Sequence, residues 1–493
     1  MLETALHYLR LFYEVFMFYY ASALMFSYGM LVILSIIEIR LYLKRKSYID
    51  YRSLLASPYA PGITVIAPAF NESETIINSV HSLMSLNYSK FEVVIINDGS
   101  TDNTLEKMVN EFNLVPVDYA YNEQIVTQPV RQIYRSDNPA FFNLIIVDKE
   151  NGKSKADASN AGINVSSYPY FLCTDVDCII HKDTLLKLIK PFIEEDVKVI
   201  ATGGAIRIAN SCDIENGFLI KVKVPRKFLP LFQELEYVRA FLLGRMAWSK
   251  LNVLLLVSGG LGMFDKEIAV KAGAYDHKSF GEDMELVTRM RKYMYNIKCK
   301  CQVKYIPESL CWTEVPSTLK VFGHQRTRWG RGLAQNLWMH KGMIFNPKYG
   351  IFGMFAMPFW VFFEWMAPIV EVTGLIYYIY LIITNQINWE YAIILLVYVY
   401  SFSVMITIIS VLWDEITYKQ YSSKTEVLKL CGIAFLEPII YHPLVIFFAL
   451  KGNFYFITGR TLAWGNMSRE GFRNFSKKIK IRRKGSSVKS QPN

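Results

Sequence analysis

The chain begins with a long apolar stretch, which runs from about Leu11 to Leu41 and is interrupted only by Glu14 and Glu38. About twenty apolar residues are enough to cross a bilayer as a helix. The stretch therefore predicts one tilted membrane helix within residues 1–46, with a hairpin of two short helices as the open alternative. A signal peptide is not expected, because the apolar region is too long and no small-residue cleavage site follows it.

Three further apolar stretches cover residues 351–383, about 388–413 and about 427–450. Ionisable residues at membrane depth usually face a bundle interior or an aqueous path. Four such residues occur here, namely Glu364, Glu371, Glu437 and His442. For Glu364 we favour an interfacial helix. The number of crossings stays open, because three crossings after a cytosolic domain would place the basic C-terminus outside, against the positive-inside tendency.

Between these stretches, from about Pro61, apolar runs of strand length alternate with helical patterns. Strands are predicted at 62–68, from 91, at 142–147 and at 170–174, and helices at 73–86, from 101 and at 155–164. Ser73 is the expected N-cap of the first of these helices. Each strand is almost wholly apolar, which is typical of a parallel sheet that is covered on both faces. Ligands of such sheets bind at the carboxyl ends of the strands.

Two parts of the central region lack this regular alternation. The sequence of residues 113–141 predicts a long polar connection without helices or strands. From about Lys182 to Cys311 the pattern becomes irregular. The later predicted elements are helices over 229–250, 281–293 and 321–338 and a flexible turn at 258–262.

The composition agrees with membrane helices attached to a water-soluble domain. Of the 493 residues, 52% are hydrophobic, and the mean hydropathy is +0.19. The net charge is +11, but basic residues collect beside apolar stretches, as in Arg40 to Lys46, where the cytoplasmic flanks of membrane helices attract them. This distribution argues against nucleic acid as a partner. The basic tail around 477–484 predicts a contact with anionic lipid.

The seven cysteines form no Cys-x-x-Cys pair. We therefore expect reduced core residues in a cytosolic compartment, rather than a zinc site or a disulfide framework.

Acidic side chains follow the predicted strands at the points where they end. Asp175 and Asp177 follow the strand at 170–174, and two carboxylates on one face of a strand end suit a divalent cation that also binds a diphosphate. The alternative is a solvated strand end before a helix cap. Glu72 and Asp98 follow two other strands and should lie on the same rim.

Two later segments place charged or aromatic side chains with possible binding roles on predicted helices. Glu282 and Asp283 open a helix, where favourable charge at the helix N-terminus is the simpler explanation. Gln325, Arg328 and Trp329 share one face of another helix. There a guanidinium can hold phosphate and an indole can stack on a sugar ring. The alternative is a membrane-surface helix with snorkelling arginines.

Six motifs of the chain, in this order over residues 63–332, resemble those of the processive, membrane-embedded family 2 glycosyltransferases, which include cellulose, hyaluronan, chitin and poly-N-acetylglucosamine synthases. They are Ala67-Pro-Ala-Phe-Asn-Glu72, Asn97-Asp-Gly-Ser-Thr-Asp102, Gly152-Lys-Ser-Lys-Ala-Asp157 with Asn160-Ala-Gly162, Thr174-Asp-Val-Asp177, Gly281-Glu-Asp283 and Gln325-Arg-Thr-Arg-Trp329. Asn97 stands where the family often has the first of two aspartates. The Gln-x-x-Arg-Trp pattern separates the processive polymerases from single-transfer relatives.

The resemblance implies a GT-A-like α/β domain with a mostly parallel, Rossmann-like sheet, inserted between membrane helices. The implied division of the chain is an N-terminal membrane helix at 1–46, a cytosolic glycosyltransferase domain at 47–345, interfacial and membrane helices at 346–455 and a basic tail at 456–493. It further implies a multi-pass protein of the plasma membrane, or bacterial inner membrane, with a cytosolic catalytic domain.

The resemblance also implies a role for each matching residue. The residues that would bind the UDP-sugar are Pro68, Ala69, Phe70, Glu72, Asp98, Lys155 and Asp175. Asp175 and Asp177 would hold Mg²⁺ or Mn²⁺. Asp283, next to Glu282, would deprotonate the acceptor hydroxyl. Gln325, Arg328 and Trp329 would contact the diphosphate and the acceptor sugar.

The implied activity is the processive, inverting polymerisation of a β-linked polysaccharide from a UDP-sugar, with translocation across the bilayer. UDP-N-acetylglucosamine is the favoured donor and UDP-glucose the next. The implied partners are the donor, the growing polysaccharide and the lipid bilayer, with small membrane or periplasmic subunits as further candidates. The alternatives are a single transfer to a polyprenyl phosphate or other lipid acceptor, and a transporter or secretion channel with a regulatory soluble domain.

Overall fold

The computed structural model describes residues 2–46, 51–421 and 423–460. The strands are β1 (Ile63–Ala69), β2 (Phe91–Asp98), β3 (Leu114–Val117), β4 (Val130–Ser136), β5 (Leu144–Lys149), β6 (Tyr170–Thr174), β7 (Ile179–Ile180), β8 (Val199–Ile208), β9 (Asp213–Glu215), β10 (Phe218–Lys221), β11 (Leu261–Asp265) and β12 (Gln302–Thr313).

The α-helices are α1 (Leu2–Lys46), α2 (Tyr51–Ala56), α3 (Ile76–Met84), α4 (Thr104–Glu111), α5 (Lys155–Val165), α6 (Thr184–Glu194), α7 (Phe228–Val238), α8 (Arg245–Lys250), α9 (Lys266–Lys271), α10 (Glu282–Asn296), α11 (Leu319–Met339), α12 (Met357–Phe359), α13 (Ala367–Ile383), α14 (Trp389–Tyr418), α15 (Lys424–Ala434) and α16 (His442–Thr458). Short π-helical segments cover Arg239–Gly244, Phe352–Ala356, Trp360–Trp365 and Glu437–Tyr441.

Ten of the strands form one mixed sheet in the order β3-β4-β5-β2-β1-β6-β11-β8-β12-β7. The four central strands β5, β2, β1 and β6 are parallel, as their apolar sequences predict. Strand β11 runs antiparallel between β6 and β8, and β4 runs antiparallel along β5. The carboxyl ends of β5, β2, β1 and β6 therefore meet at one rim, which we call the carboxyl rim.

Two sequence-based expectations are wrong. The connection predicted over 113–141 contains strands β3 and β4. They were missed because each strand buries only one residue, Leu114 in β3 and Ile133 in β4, so these two outermost strands look like a polar loop. Helix α3 begins at Ile76 rather than at Ser73, whose backbone N–H instead donates to Asp102 (3.2 Å). The turn predicted at 258–262 is present, because the backbone N–H of Leu261 donates to the Ser258 carbonyl (3.0 Å), and it leads directly into the buried strand β11.

Among the described residues, four helices are long and apolar enough to cross a membrane: Leu11–Arg45, Phe352–Ile383, Trp389–Tyr418 and Glu437–Thr458. The N-terminal stretch is one continuous helix, as expected, not a hairpin. Glu364 lies within the second of these helices and accepts a hydrogen bond from the Tyr28 hydroxyl (3.2 Å), so its side chain faces α1. The expected lipid contact of the basic tail lies outside the described residues.

Buried charges connect the sheet to the apolar helices. Arg207, on β8, donates to Asp414 on α14 and lies 3.8 Å from Glu234 on α7. All three side chains are at most 5% exposed. Because a buried charge without its partner is costly, this cluster fixes α14 and α7 against the end of β8.

We expect the Asp414→Leu variant to lose about 3–5 kcal/mol of stability, because the Arg207 charge would stay buried without its main partner. The double variant Arg207→Met/Asp414→Leu should recover part of this loss, since neither charge remains. Unfolding of the full chain in detergent micelles measures both, with the exposed Arg226→Met as a control. Equal stability of Asp414→Leu and this control would contradict the prediction.

Candidate active site at the carboxyl rim

Asp175 and Asp177, which we call the acidic pair, lie directly after β6, which ends at Thr174. A turn closed by the hydrogen bond from Cys178 N–H to the Asp175 carbonyl (3.0 Å) follows the strand. It brings ligand atoms of Asp175, Asp177 and Cys178 within 4.8 Å of one another. The alternation of side chains along a strand, on which the prediction rested, is therefore not what gathers the two carboxylates. The turn does this.

Lys155 lies beside the acidic pair, at the first position of α5. The N-cap of this helix is Ser154, whose hydroxyl accepts from the backbone N–H of Asp157 (3.2 Å). The Lys155 ammonium donates to Asp175 Oδ1 and to the Gly259 carbonyl (2.7 Å). Burial lowers the pKa of Lys155, but the nearby acidic groups, Asp175 foremost and then Cys173 and Glu282, together raise this pKa by more. The ammonium therefore keeps its charge.

Asp283 reaches the same place from the start of α10. Its Oδ2 accepts from the backbone N–H of Gly259 (2.8 Å) and its Oδ1 from that of Met284 (2.8 Å). The loop before β11 thus lies between the two acidic groups. A Cβ added at Gly259 would lie 3.4 Å from Asp283 Oδ2, and one at Gly260 would lie 3.4 Å from Asp175 Oδ2. Glycines allow this close approach.

Glu282 is only 7% exposed and is directly next to Asp283. Burial and the Asp283 charge raise the pKa of Glu282, while Arg328 and Lys155 act in the opposite direction. Arg328 of α11 is therefore close enough to act on the first turn of α10. The two helices also touch at Gly281 and Gly332, where a Cβ on Gly281 would lie 3.5 Å from Gly332 Cα.

At the end of β2, Asp98 is 6% exposed and belongs to a buried charge cluster. Its Oδ1 accepts from Lys149 Nζ (2.8 Å) and from the backbone N–H of Gly152 (3.0 Å). Lys149 is fully buried and also donates to Asp157 Oδ2 (2.6 Å). The prediction missed Lys149. The only sequence signal for it is a lysine that closes an otherwise apolar strand.

The predicted residues at the end of β1 lie beside Asp98. Pro68 and Ala69 pair in register with Ile96 and Asn97 of β2, and Phe70 is 42% exposed. Glu72 Oε2 accepts from the Thr75 hydroxyl (2.9 Å), so this carboxylate also shapes the loop into α3. Adjacent strands are about 4.8 Å apart, so this loop would form one wall of a binding site at Asp98.

Helix α11 carries the remaining predicted residues. Trp329 is 39% exposed, and its ring lies over the buried guanidinium of Arg326 (4.3 Å to the ring centroid). Gln325 has a buried Oε1 with no hydrogen-bond donor among the described residues. Of the three predicted residues of this helix, Arg328 is the one whose charge acts on Glu282. Gln325 lies about one turn before it, and Trp329 is the next residue.

We expect the Lys149→Met variant to be less stable by about 3–5 kcal/mol and to bind UDP at least about tenfold more weakly. The reason is that Asp98 and Asp157 would repel each other without the shared ammonium. Unfolding and titration calorimetry measure these effects, with the exposed Lys300→Met as a control. Restoration of stability by adding Asp157→Asn would confirm the charge argument, and wild-type UDP affinity of Lys149→Met would contradict it.

The raised pKa of Glu282 predicts that its charged form destabilises the folded protein in a pH-dependent way. Between the ordinary value of 4.5 and the raised value, the folded state binds more protons than the unfolded state, so stability falls as pH rises through this window. Glu282→Gln should therefore unfold at a higher temperature than the wild type near neutral pH, and the difference should shrink toward acidic pH. The exposed Glu74→Gln is the control. A pH-independent difference would contradict this cause.

Two family models match the chain. The model described as glycosyltransferase-like family 2 matches residues 61–332, and that described as chitin synthase matches residues 275–421. The chain is 30% identical to the poly-beta-1,6-N-acetyl-D-glucosamine synthase of Staphylococcus aureus over 322 residues, which are 65% of this chain and 64% of that protein. For the Staphylococcus epidermidis enzyme of the same name, the identity is 29% over 59% of each chain. The match thus spans less than two thirds of these relatives.

Among solved structures, the fold is similar to the mannosyltransferase of Pyrobaculum calidifontis in complex with GDP-mannose and Mn²⁺, with 16% identity, coverage of 88% of this chain and 99% of that one, and a TM-score of 0.45. For glucosyl-3-phosphoglycerate synthase of Mycobacterium tuberculosis, the identity is 13%, the coverage 59% and 84%, and the TM-score 0.37.

The family model covers more than half of the chain and includes every residue of the carboxyl-rim site described above. The resemblance inferred from the six motifs is confirmed at this level, as is the GT-A-like α/β fold. The chain belongs to glycosyltransferase-like family 2.

Proposed function

We propose that this chain is a processive, inverting glycosyltransferase that builds a β-linked polysaccharide from a UDP-sugar and passes it across the membrane. The observation that carries the proposal is the Gly259–Gly260 loop, which links the Asp175 carboxylate, through Lys155, to the Asp283 carboxylate. A donor-activating group and a candidate base are thus held on opposite sides of one short loop.

The acidic pair fits a hard divalent cation, Mg²⁺ or Mn²⁺. Such ions prefer carboxylate oxygens, which Asp175 and Asp177 offer. The nearby thiol of Cys178 is a soft ligand, which hard cations disfavour, and its hydrogen bond with Cys311 and burial raise its pKa. A cation held there would share the negative charge of the departing UDP.

Lys155 and Arg328 supply the other positive charges for the leaving group. The Lys155 ammonium is held by the Gly259 carbonyl as well as by Asp175, so it keeps one partner when a diphosphate competes for it. Arg328 approaches from α11 beside Glu282. Preorganised cations of this kind stabilise charge that develops in the transition state.

Asp283 is the proposed general base. Two backbone N–H groups orient its carboxylate toward the Gly259 loop. The neighbouring Glu282 is buried, and burial together with the Asp283 charge raises the pKa of Glu282. An acceptor hydroxyl deprotonated by Asp283 and attacking the donor directly would invert the anomeric centre, giving a β-linkage from an α-linked donor.

The nucleotide would bind between the ends of β1 and β2. Asp98 uses Oδ1 for Lys149 and Gly152, and Oδ2 is directed to no donor among the described residues. We propose that Oδ2 accepts from the uracil or ribose, with Pro68, Ala69, Phe70 and Glu72 as the wall. The favoured donor is UDP-N-acetylglucosamine, because the named staphylococcal relatives are poly-N-acetylglucosamine synthases, and UDP-glucose is next.

Elongation and translocation would begin at Trp329, whose half-exposed ring can stack on the acceptor sugar with Gln325 beside it. Polar residues of the apolar helices support a hydrated path beyond it: Glu364 pairs with Tyr28 (3.2 Å), Glu371 with His442 (2.7 Å), and Glu437 with Arg239 of the π-helical segment after α7 (2.7 Å). Polar groups at this depth usually face such a path. We propose a cytosolic catalytic domain over 47–345 with the helices of 1–46 and 346–455 in the plasma or bacterial inner membrane.

The first test is incubation of the purified chain with a panel of UDP-sugars and Mg²⁺ or Mn²⁺, recording UDP release and product size. We expect UDP release to require the metal, to be fastest with UDP-N-acetylglucosamine and to yield polymer. Products that carry only one added sugar would replace the proposal with a single transfer to a lipid acceptor. No UDP release with any donor would favour the transporter alternative.

The second test is Asp283→Asn, which keeps the size of the side chain but removes the base. General-base catalysis contributes roughly 10²–10⁴-fold, so turnover should fall by this factor while the affinity for UDP stays near that of the wild type. Asp276→Asn is a matched control, because its Oδ1 also accepts a backbone N–H in the same region (2.9 Å). Turnover of Asp283→Asn within threefold of this control would overturn the assignment.

A further inference from the structure

A buried arginine supports the exposed indole of Trp329. The guanidinium carbon of Arg326 lies 4.3 Å from the centroid of the Trp329 ring and 4.9 Å from that of Phe322. The Arg326 side chain is 5% exposed, whereas Trp329 is 39% exposed. One face of the indole is thus covered by a planar cation, and the rest of the ring is open to a ligand.

The guanidinium is itself fixed by a closed set of hydrogen bonds. Arg326 Nη1 donates to Glu236 Oε1 (2.5 Å), and Nη2 donates to the Tyr441 hydroxyl (3.1 Å). The Tyr441 hydroxyl in turn donates to the other oxygen of Glu236. The three residues come from α11, α7 and the π-helical segment that begins the last apolar helix. Each of these elements therefore constrains the plane of the guanidinium.

The packing of α11 against α16 removes the remaining freedom. A Cβ added at Gly330 would lie 3.0 Å from the Ala449 carbonyl oxygen, and one at Gly452 would collide with the Thr327 carbonyl. With the two backbones this close, α11 cannot rotate about its axis without clashes. The position of the Trp329 Cα is set by this contact, and the orientation of its ring is set by Arg326.

We propose that Arg326, Glu236 and Tyr441 form a positioning unit that holds the plane of the Trp329 indole for stacking on the acceptor sugar, and so sets acceptor affinity and product length. This rests on the proposed function of Trp329. The chemistry requires arginine, because its planar guanidinium can stack on an indole while both ends of the fork are hydrogen-bonded. A lysine would keep the charge and the contact with Glu236 but not the flat support.

The test compares Arg326→Lys with Arg331→Lys in the full chain. Arg331 is a matched control, because it lies on the same helix and stacks at 3.9 Å on a different ring, that of Phe280. The measurements are KM for a soluble oligosaccharide acceptor, KM for the UDP-sugar, product length and unfolding temperature. We expect Arg326→Lys to raise the acceptor KM by about tenfold and to shorten the product, with donor KM within twofold; Arg331→Lys should change none of these.

Two further variants separate positioning from a general packing defect. Tyr441→Phe removes one hydroxyl and should raise the acceptor KM by a smaller factor, about threefold. Arg326→Lys combined with Trp329→Ala should be no worse than Trp329→Ala alone, because the support matters only through the ring. Additive effects of the double variant, or equal losses in donor and acceptor KM, would overturn the proposal.

The outcome also separates this inference from the proposed function. If the wild type adds only one sugar, polymerisation is wrong, yet the acceptor KM of Arg326→Lys still tests the positioning role. If the wild type makes polymer and Arg326→Lys has unchanged acceptor KM and product length, the proposed function stands and the positioning unit does not.

Discussion

Carboxylates crowd the carboxyl rim of the sheet, and the site depends on the cations that lie among them. Asp98 and Asp157 share the ammonium of Lys149, and Asp175 is held by that of Lys155. Without such partners, like charges this close would repel one another. The two lysines come from adjoining pieces of chain, the end of β5 and the start of α5. One short segment thus balances the carboxylates at the end of β2 and those after β6.

The surroundings of Glu282 differ from those of the neighbouring Asp283. Asp283 receives two backbone N–H groups, whereas Glu282 is buried beside a like charge and its pKa is raised. Two adjacent carboxyl groups thus lie in different environments, one held by backbone N–H groups and the other buried. The charge of Arg328 on α11 lowers the pKa of Glu282, so the environment of Glu282 depends on the position of that helix.

The sequence predicted those features that depend on local pattern. Apolar runs located β1, β2, β5 and β6, and the acidic residues after them marked the rim. Residues whose role depends on distant parts of the chain were missed: Lys149 looks like the polar end of a strand, and Gly259 and Gly260 look like a turn. Strand β4, which lies next to the edge strand β3, was missed because it buries only Ile133 and so lacks the apolar pattern of the central strands. Tertiary pairing, not propensity, decides such elements.

The segment that begins with α7 shows how the rim and the apolar helices are held in one register. Three ion pairs connect this segment, or strand β8 beside it, to other helices. They are Arg207 with Asp414, Arg239 with Glu437, and Glu236 with Arg326. Hydrophobic packing alone tolerates a helix that slides by a fraction of a turn, since one apolar contact replaces another. A buried ion pair does not, because any shift leaves a charge without its partner. The position of helix α11, which carries Trp329, is therefore set by ion pairs that lie outside the candidate site.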